Sequence, residues 1–261
     1  MFPDLFSIGP ITLHTYGLFI ALGLVSAVYL ALRSSEEYGL QRQMVMDMAF
    51  WAALFGVLGA RAAFVLMNMD LYSTNPISMF KIWQGGLVFS GGMIASIVFM
   101  IVYIRKKRLE FWKVADLFAP SIALGASIGR LGCFSAGCCY GKPCNLPFAV
   151  VFHNPHSLAP LNVPLHPTQL YHSALLFIIF LILMRLRKRR LFDGQVFLWF
   201  LILHSFQRLF VERFRGDFRN HIPGTEMTVT QLISLLILTA AIFLLLKRRP
   251  KEGDKRSSHL S

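Results

Sequence analysis

The chain has 261 residues, of which 55% are hydrophobic and only 15% charged, with a formal net charge of +13 and a mean hydropathy of +0.56. A soluble domain carries about 25% charged residues and lacks apolar runs near 20 residues, so this composition excludes an ordinary water-soluble fold. The positive charge does not indicate nucleic acid as a partner, because Lys and Arg fall in short clusters between apolar runs, which is the topology pattern of a membrane protein.

Met1 to Pro10 has no basic segment, and the first apolar run, from Ile11 to about Leu32, is long enough to span, so no cleavable signal peptide is expected. Spans are predicted in order at 11–32, 44–67, 86–104, 114–132, 168–184, 194–214 and 229–246. Each suffices for a hydrocarbon core of about 30 Å. The fold class is therefore an all-α polytopic membrane protein, with about seven transmembrane helices forming one domain over residues 1–247. Within it, a weakly apolar loop runs from about 133 to 167. A basic tail over 248–261 follows, with the composition of a disordered segment.

The first, third and fifth loops together with the tail hold 18 of the 26 Lys and Arg, the N-terminus and the other loops hold 5 when Arg213, at the end of the sixth span, is counted with its loop, and Arg61, Arg130 and Arg208 lie inside spans. The positive-inside bias predicts a periplasmic N-terminus and a cytoplasmic C-terminus. An ionisable residue inside a span costs roughly 2.5–3.5 kcal/mol on insertion scales, which makes each a functional candidate. With that orientation Arg61, Arg130, Arg208, Glu212, His14, Tyr16, Ser90, His166, Gln169 and Tyr171 all fall in the outer half of the membrane. His204, Arg208, Glu212 and Arg215 are spaced to form one stripe on a helix. Taken alone, Arg208 and Glu212 read either as a pair that holds the bundle together or as an anion site in which Glu212 orients Arg208. Several guanidinium groups with few carboxylates favour an anion. Arginine forks match phosphate oxygens, and the phosphate available in a membrane is a lipid headgroup.

At these residues the chain resembles the prolipoprotein diacylglyceryl transferase family over nearly its whole length. LHTYGLFIALG (13–23), GVLGARAAFVL (56–66) and IWQGGLVFSGGMI (82–94) resemble the family's first three spans. DLFAPSIALGASIGRLGCF (116–134) resembles its signature span, and LHPTQLY (165–171) matches H-P-[ST]-Q-L-Y. SFQRLFVERFRGDF (205–218) is similar to F-R-x-x-x-E-x-x-R, and VTQLISL (229–235) to the start of the last span. The resemblance implies transfer of the diacylglyceryl group of phosphatidylglycerol to the lipobox cysteine of a prolipoprotein, at the outer face of the bacterial cytoplasmic membrane. A thioether would form and glycerol phosphate would leave. By motif position Arg130 and Arg208 would hold the phosphate, Glu212 would orient Arg208, and Tyr16 would contact the headgroup, with Arg61 and Arg215 as weaker candidates. No cofactor and no metal is expected.

The family signature G-R-x-G-N-F-x-N-G-E-x-x-G reads GRLGCFSAGCCYG here (129–141). Gly129, Arg130, Gly132 and Gly141 fit. Cys133 and Ala136 stand where asparagines are usual, Cys138 where glutamate is usual, and Ser90 where many members carry a histidine. With that base absent, His166, His14 and His204 are the candidates to take the thiol proton. The variant pocket also leaves open a paralogue with another acceptor, or a transporter of anionic headgroups. All four cysteines, Cys133, Cys138, Cys139 and Cys144, fall within twelve residues. A disulfide from Cys144 to Cys133 or Cys138 is the first expectation on the outer side, where disulfides form. Reduced buried thiols and a metal site are the alternatives, though C-x4-C-C-x4-C is not a usual ligand spacing. Gly85, Gly86, Gly91 and Gly92, flanking Ser90, serve either backbone approach to lipid or a flexible entry, or else close helix packing. Asp47 and Asp116 read as helix-end groups.

Overall fold

The structure, a computed structural model, describes residues 4–8, 11–72, 76–80, 85–218, 222, 224–225 and 227–248, without the side chains of 6–8, 11–13 and 76. The basic tail beyond 248 and the start of the third-span motif at 82–84 lie outside the described residues. Seven α-helices are found among them: α1 (Thr15–Ser34), α2 (Arg42–Met67), α3 (Phe89–Lys106), α4 (Phe111–Ala136), α5 (Thr168–Arg187), α6 (Gln195–Glu212) and α7 (Val229–Arg248). Each matches an expected span to within about four residues at either end. Six are long and apolar enough to cross a membrane. The exception is α6, whose apolar run is broken by His204, Gln207, Arg208 and Glu212. The chain is thus an all-α polytopic membrane protein. Residues 11–14, expected to begin the first span, instead form strand β2 (Ile11–His14), paired antiparallel with β1 (Asp4–Ile8).

The chain divides into two compact units, Ala31–Val114 and Met1–Leu30 with Ala115–Ser261. In the first, α2 and α3 pack along a seam of small residues. A Cβ on Gly59 would collide with Ala95 Cβ and lie 2.8 Å from the Gly91 carbonyl oxygen, and one on Gly92 would lie 2.6 Å from the Gly56 oxygen. Only glycine lets the backbones come so close, which is how helices associate where lipid removes the hydrophobic drive between them. Ser96 Oγ adds an interhelical bond to the Ala52 carbonyl at 2.7 Å. Gly91 and Gly92 therefore lie in the close-packed seam between α2 and α3.

In the second unit α4 and α5 are enclosed, with 39% and 33% of their apolar windows buried, whereas α7, at 11%, is peripheral. Ala119 and Ala123 of α4, Ile179 and Leu183 of α5, and Val196 and Phe200 of α6 share one core. Ser127 and Ser173 donate reciprocally to each other's carbonyls at 2.8 and 2.9 Å, tying α4 to α5. Asp116 of α4 accepts from the amides of Gly194 and Phe197 at 2.7 Å each, so it caps the start of α6, in keeping with a helix-end role. A capping box of Thr228 and Gln231 starts α7. α1 lies on α4 through Gly23 and Gly125, where a Cβ on either would meet the other's carbonyl oxygen, at 2.7 and 3.0 Å respectively. Gly132 extends that contact against Phe19 and Tyr16.

Gly17, also on α1, has nothing within 4 Å of its Cβ position. Gly17→Ala should therefore leave the thermal unfolding midpoint of the detergent-purified protein unchanged or raise it slightly. Gly59→Val should lower stability by about 1–3 kcal/mol through overpacking. Equal midpoints for the two variants would dismiss the seam as a determinant of packing.

Candidate active site

The site is assembled in the second unit, where the end of α4 meets the start of α5 and the end of α6. Three backbone segments weave together there. Gly141 N donates to the His166 carbonyl (3.1 Å), His166 N to the Lys142 carbonyl (3.0 Å), Lys142 N to the Phe214 carbonyl (2.8 Å), and Gly216 N to the Tyr140 carbonyl (3.1 Å). A Cβ on Gly141 would sit 2.5 Å from the His166 oxygen, and one on Gly216 would sit 2.6 Å from the Gly141 oxygen. Both glycines are required by that approach. The loop beyond carries two short antiparallel strands, β3 (Val150–Val151) and β4 (Pro164–Leu165), over a small core of Phe152, Ala159 and Leu165.

Three guanidinium groups, those of Arg130, Arg208 and Arg215, lie close enough to His172 to act on its ring. Two are matched by protein acids. Arg215, 5% exposed, makes a bidentate pair with Asp217 at 2.8 and 2.7 Å. Arg208 Nη2 stands 3.9 Å from Glu212 Oε2, and Glu212 Oε1 accepts from Thr228 Oγ1 at 3.2 Å. Among the described residues, half-buried Arg130 has no hydrogen-bond or ion-pair partner. Its charge acts on Tyr16, Cys133, Cys139, His172 and His204.

His172, absent from the expected site, is almost completely buried. Its Nδ1 bonds the Gln207 amide, and its Nε2 is 3.4 Å from Arg208 Nη1. The Gln207 amide nitrogen faces Nδ1 and the Arg208 guanidinium faces Nε2, so both ring nitrogens are set against donors. His172 thereby links Gln207 to Arg208, and it positions Arg208. Burial of Gln169, His172, Ser173, Leu176, Ile179 and Leu183 marks one face of α5. That helical period is readable in the sequence and is the signal that singles out His172.

The expected disulfide from Cys144 is not formed: all four cysteines are free. Instead the sulfurs of Cys133, Cys138 and Cys139 all lie within 4.8 Å of one another. The chain reverses after α4 through Gly137 (φ 77°) and Cys139 (φ 60°), which returns the last two cysteines to the first. Gln169 Nε2 donates to the Cys138 carbonyl at 2.8 Å, and Thr168 Oγ1 to the Cys139 carbonyl at 2.7 Å. Hydrogen bonds from Cys133 and Cys138 hold the Cys139 thiol well below its ordinary value, aided by the charges of Arg215 and Arg130. Hydrogen bonds with Cys133 and Cys139 hold the Cys138 thiol above its ordinary value.

The other candidates are placed as follows. Tyr16 acts within the same group of charges as Arg130 and the three cysteines. Gly129 makes ordinary contact with Ile20. His166 Nδ1 is bonded to Tyr171 Oη at 3.1 Å, with its ring between Tyr171 and Phe214. His204 stacks on Phe200, and its buried Nδ1 has no hydrogen-bond partner among the described residues. His14 is exposed and held by Asp4, which also accepts from His156. Besides Gly91 and Gly92, two candidates lie in the other unit: Ser90 is exposed there, and Arg61 corrects its expected role as a phosphate contact. Arg61 donates to the carbonyls of Met79 (2.8 Å), Gly85 (2.6 Å), Gly86 (3.2 Å) and Ser78 (2.9 Å), and it lies over the rings of Phe64 and Tyr72. Its donors hold these backbone segments to α2, and little remains for an external anion.

A profile of the family described as prolipoprotein diacylglyceryl transferase matches residues 3–247. A phosphatidylglycerol–prolipoprotein diacylglyceryl transferase of Bacillus velezensis is 35% identical over 259 residues, which cover 97% of this chain and 95% of that protein. Proteins of the same description from Clostridium tetani, 35% identical over 93% of this chain and 96% of theirs, and Finegoldia magna, 36% identical over 93% and 94%, are similarly alike.

Two outcomes follow from the placements. Arg61→Ala leaves four carbonyls without their donor and should destabilise the fold by at least about 2 kcal/mol, seen as a lower unfolding midpoint. Asp4 is held below its ordinary value of 3.8 by hydrogen bonds from His156 and His14. A lowered carboxylate contributes stability above its unfolded pKa and loses it as pH falls through the folded one. Protection of the N-terminal hairpin amides, their exchange rate relative to an unfolded peptide at the same pH, should therefore be lost only below about pH 4, and unchanged protection there would discount the Asp4 tie.

Proposed function

We infer the reaction from one premise: this chain belongs to the prolipoprotein diacylglyceryl transferase family. It is a transferase that moves the diacylglyceryl group of phosphatidylglycerol to a prolipoprotein. The acceptor atom is the thiol sulfur of the lipobox cysteine. It attacks the glycerol carbon next to the phosphate, the carbon–oxygen bond breaks, a thioether forms, and glycerol phosphate departs with the bonding electrons. The protein lies in the bacterial cytoplasmic membrane with its N-terminus outside and the site toward the outer leaflet, a reading supported by the loop charges.

The observation that carries the assignment of roles is Arg130, a half-buried cation with no anion among the described residues. A phosphate headgroup supplies that anion, and charge gathering on the leaving phosphate is then stabilised by a donor already in place. Arg208 acts as the second clamp. Its placement depends on His172, itself held by Gln207, and on Glu212, which is fixed by Thr228. Arg215, already matched by Asp217, stabilises the floor of the site. Tyr16 flanks the headgroup, and Gly141 and Gly216 hold the three segments in register.

With purified protein, phosphatidylglycerol vesicles and a lipobox peptide, Arg130→Ala should reduce the rate of diacylglyceryl mass gain by about 10²–10³-fold, the usual effect of removing one charge-stabilising donor. His172→Ala should cause a smaller loss, with the fall in kcat exceeding any rise in KM. Full activity of Arg130→Ala in correctly inserted protein would overturn the phosphate assignment.

A further inference from the structure

We propose that Cys133, Cys138 and Cys139 form a three-thiolate site for a zinc-class ion, and that the acceptor thiol of the substrate becomes its fourth ligand. The inference rests on the transferase reading above, and it supplies what that reading lacks, a means of ionising the acceptor.

Four observations carry it. First, the three sulfurs converge within 4.8 Å. A tetrahedral zinc with bonds of about 2.3 Å holds its sulfurs about 3.8 Å apart, so rotation of the side chains closes the set. Second, the convergence is built into the backbone. Cys139 is held at φ 60°, in the left-handed region that a non-glycine residue avoids. The carbonyls of Cys138 and Cys139 are fastened to Gln169 and Thr168, both fully buried in the first turn of α5. Such outer contacts fix the direction of ligands.

Third, the electrostatics are favourable. Three thiolates and a divalent ion carry one negative charge, which lies in the field of the Arg130 and Arg215 guanidinium groups and leaves the Arg130 donors for the phosphate. Arg130 and Arg215 both act on Cys139, and Arg215 Nη1 is buried without a hydrogen-bond partner among the described residues. Fourth, the histidines considered as bases are otherwise placed. His14 bonds Asp4, His166 bonds Tyr171, and His204 is stacked on Phe200.

Zinc with three protein ligands keeps its fourth position open, and a thiol bound there gives up its proton to solvent. The bound thiolate attacks the glycerol carbon, and the carbon–oxygen bond to phosphate breaks beside Arg130. The product thioether is a neutral, weak ligand and leaves, so the metal is regenerated. No oxidant or reductant is needed.

The test uses the full chain purified in detergent. Metal analysis should find about one zinc per chain. Cys139→Ser and Cys133→Ser should each reduce that content several-fold, whereas Cys144→Ser should retain it. Cobalt substitution should give thiolate-to-metal charge-transfer absorption, which shifts on adding lipobox peptide but not its Cys→Ser counterpart. In the unmutated protein, zinc should protect three thiols from maleimide, a readout independent of variant folding. Equal labelling of all thiols with and without zinc, or a disulfide within the trio, would overturn the metal site, as would a cobalt form without thiolate absorption. A metal-free protein that transfers at full rate also overturns it, and leaves the transferase reading standing. Failure of every preparation, with or without zinc, to modify the peptide sinks that reading instead.

Discussion

Arg130 is a cation set among apolar helices, and its charge has to be met by an anion. Within its unit every described carboxylate is already engaged: Asp4 by two histidines, Asp116 by the start of α6, Asp193 by Arg190, Glu212 by Arg208 and Thr228, and Asp217 by Arg215. A protein could neutralise such a group by burying an acid beside it, which in low dielectric returns roughly its own desolvation and little more. In the function proposed above, the position is left to the substrate phosphate. The remaining features of the unit hold that cation, and the neighbours that share its work, in place.

Close helix approach is the means. Gly23, Gly125 and Gly132 let α1 lie on α4 at backbone distance, which brings Tyr16 to the end of the signature helix. Gly141 and Gly216 do the same where the loop strands meet the end of α6. In lipid, packing of this kind carries much of the association energy, because apolar side chains gain little by leaving hydrocarbon. Rigid backbone crossings also limit the play of the side chains mounted on them. A clamp for a phosphate needs that, since a shift of about 1 Å in a positioned donor can cost about 10²-fold in rate.

The spans are legible in the sequence because bilayer thickness sets their length and apolar composition marks it. The gathering of polar residues is also legible, from charge cost alone. The roles of individual residues are less so. Arg61 and Arg130 look alike in sequence, each a lone arginine in an apolar helix, yet Arg61 is surrounded by carbonyls from residues 78–79 and 85–86 and Arg130 is not. That difference depends on the return of those residues to α2, which hydropathy does not report. Linear spacing misleads at the cysteines for a related reason. It points to Cys144 as a partner, but the left-handed turn at Gly137 and Cys139 folds the nearer three together. His172 lies one residue beyond the LHPTQLY motif and is overshadowed by it, although its helical phase with Gln169 and Leu176 faces inward.

The departures from the family signature become coherent once these positions are seen in space. Cys133 stands where asparagine is usual and Cys138 where glutamate is usual. Replacing a glutamate with a neutral group beside Arg130 and Arg215 would remove an anion from a place that has too few. The Cys138 thiol is held above its ordinary value by Cys133 and Cys139, whereas Cys139, near Arg215 and Arg130, is held below its own, so the anionic character falls on the neighbouring sulfur. At those two positions the chain carries sulfur where oxygen-bearing side chains are usual, and Arg130, Arg208 and Arg215 are all present. The sulfurs of Cys133, Cys138 and Cys139 converge, with the carbonyls of Cys138 and Cys139 pinned by α5, and this is the arrangement on which the proposed metal site rests.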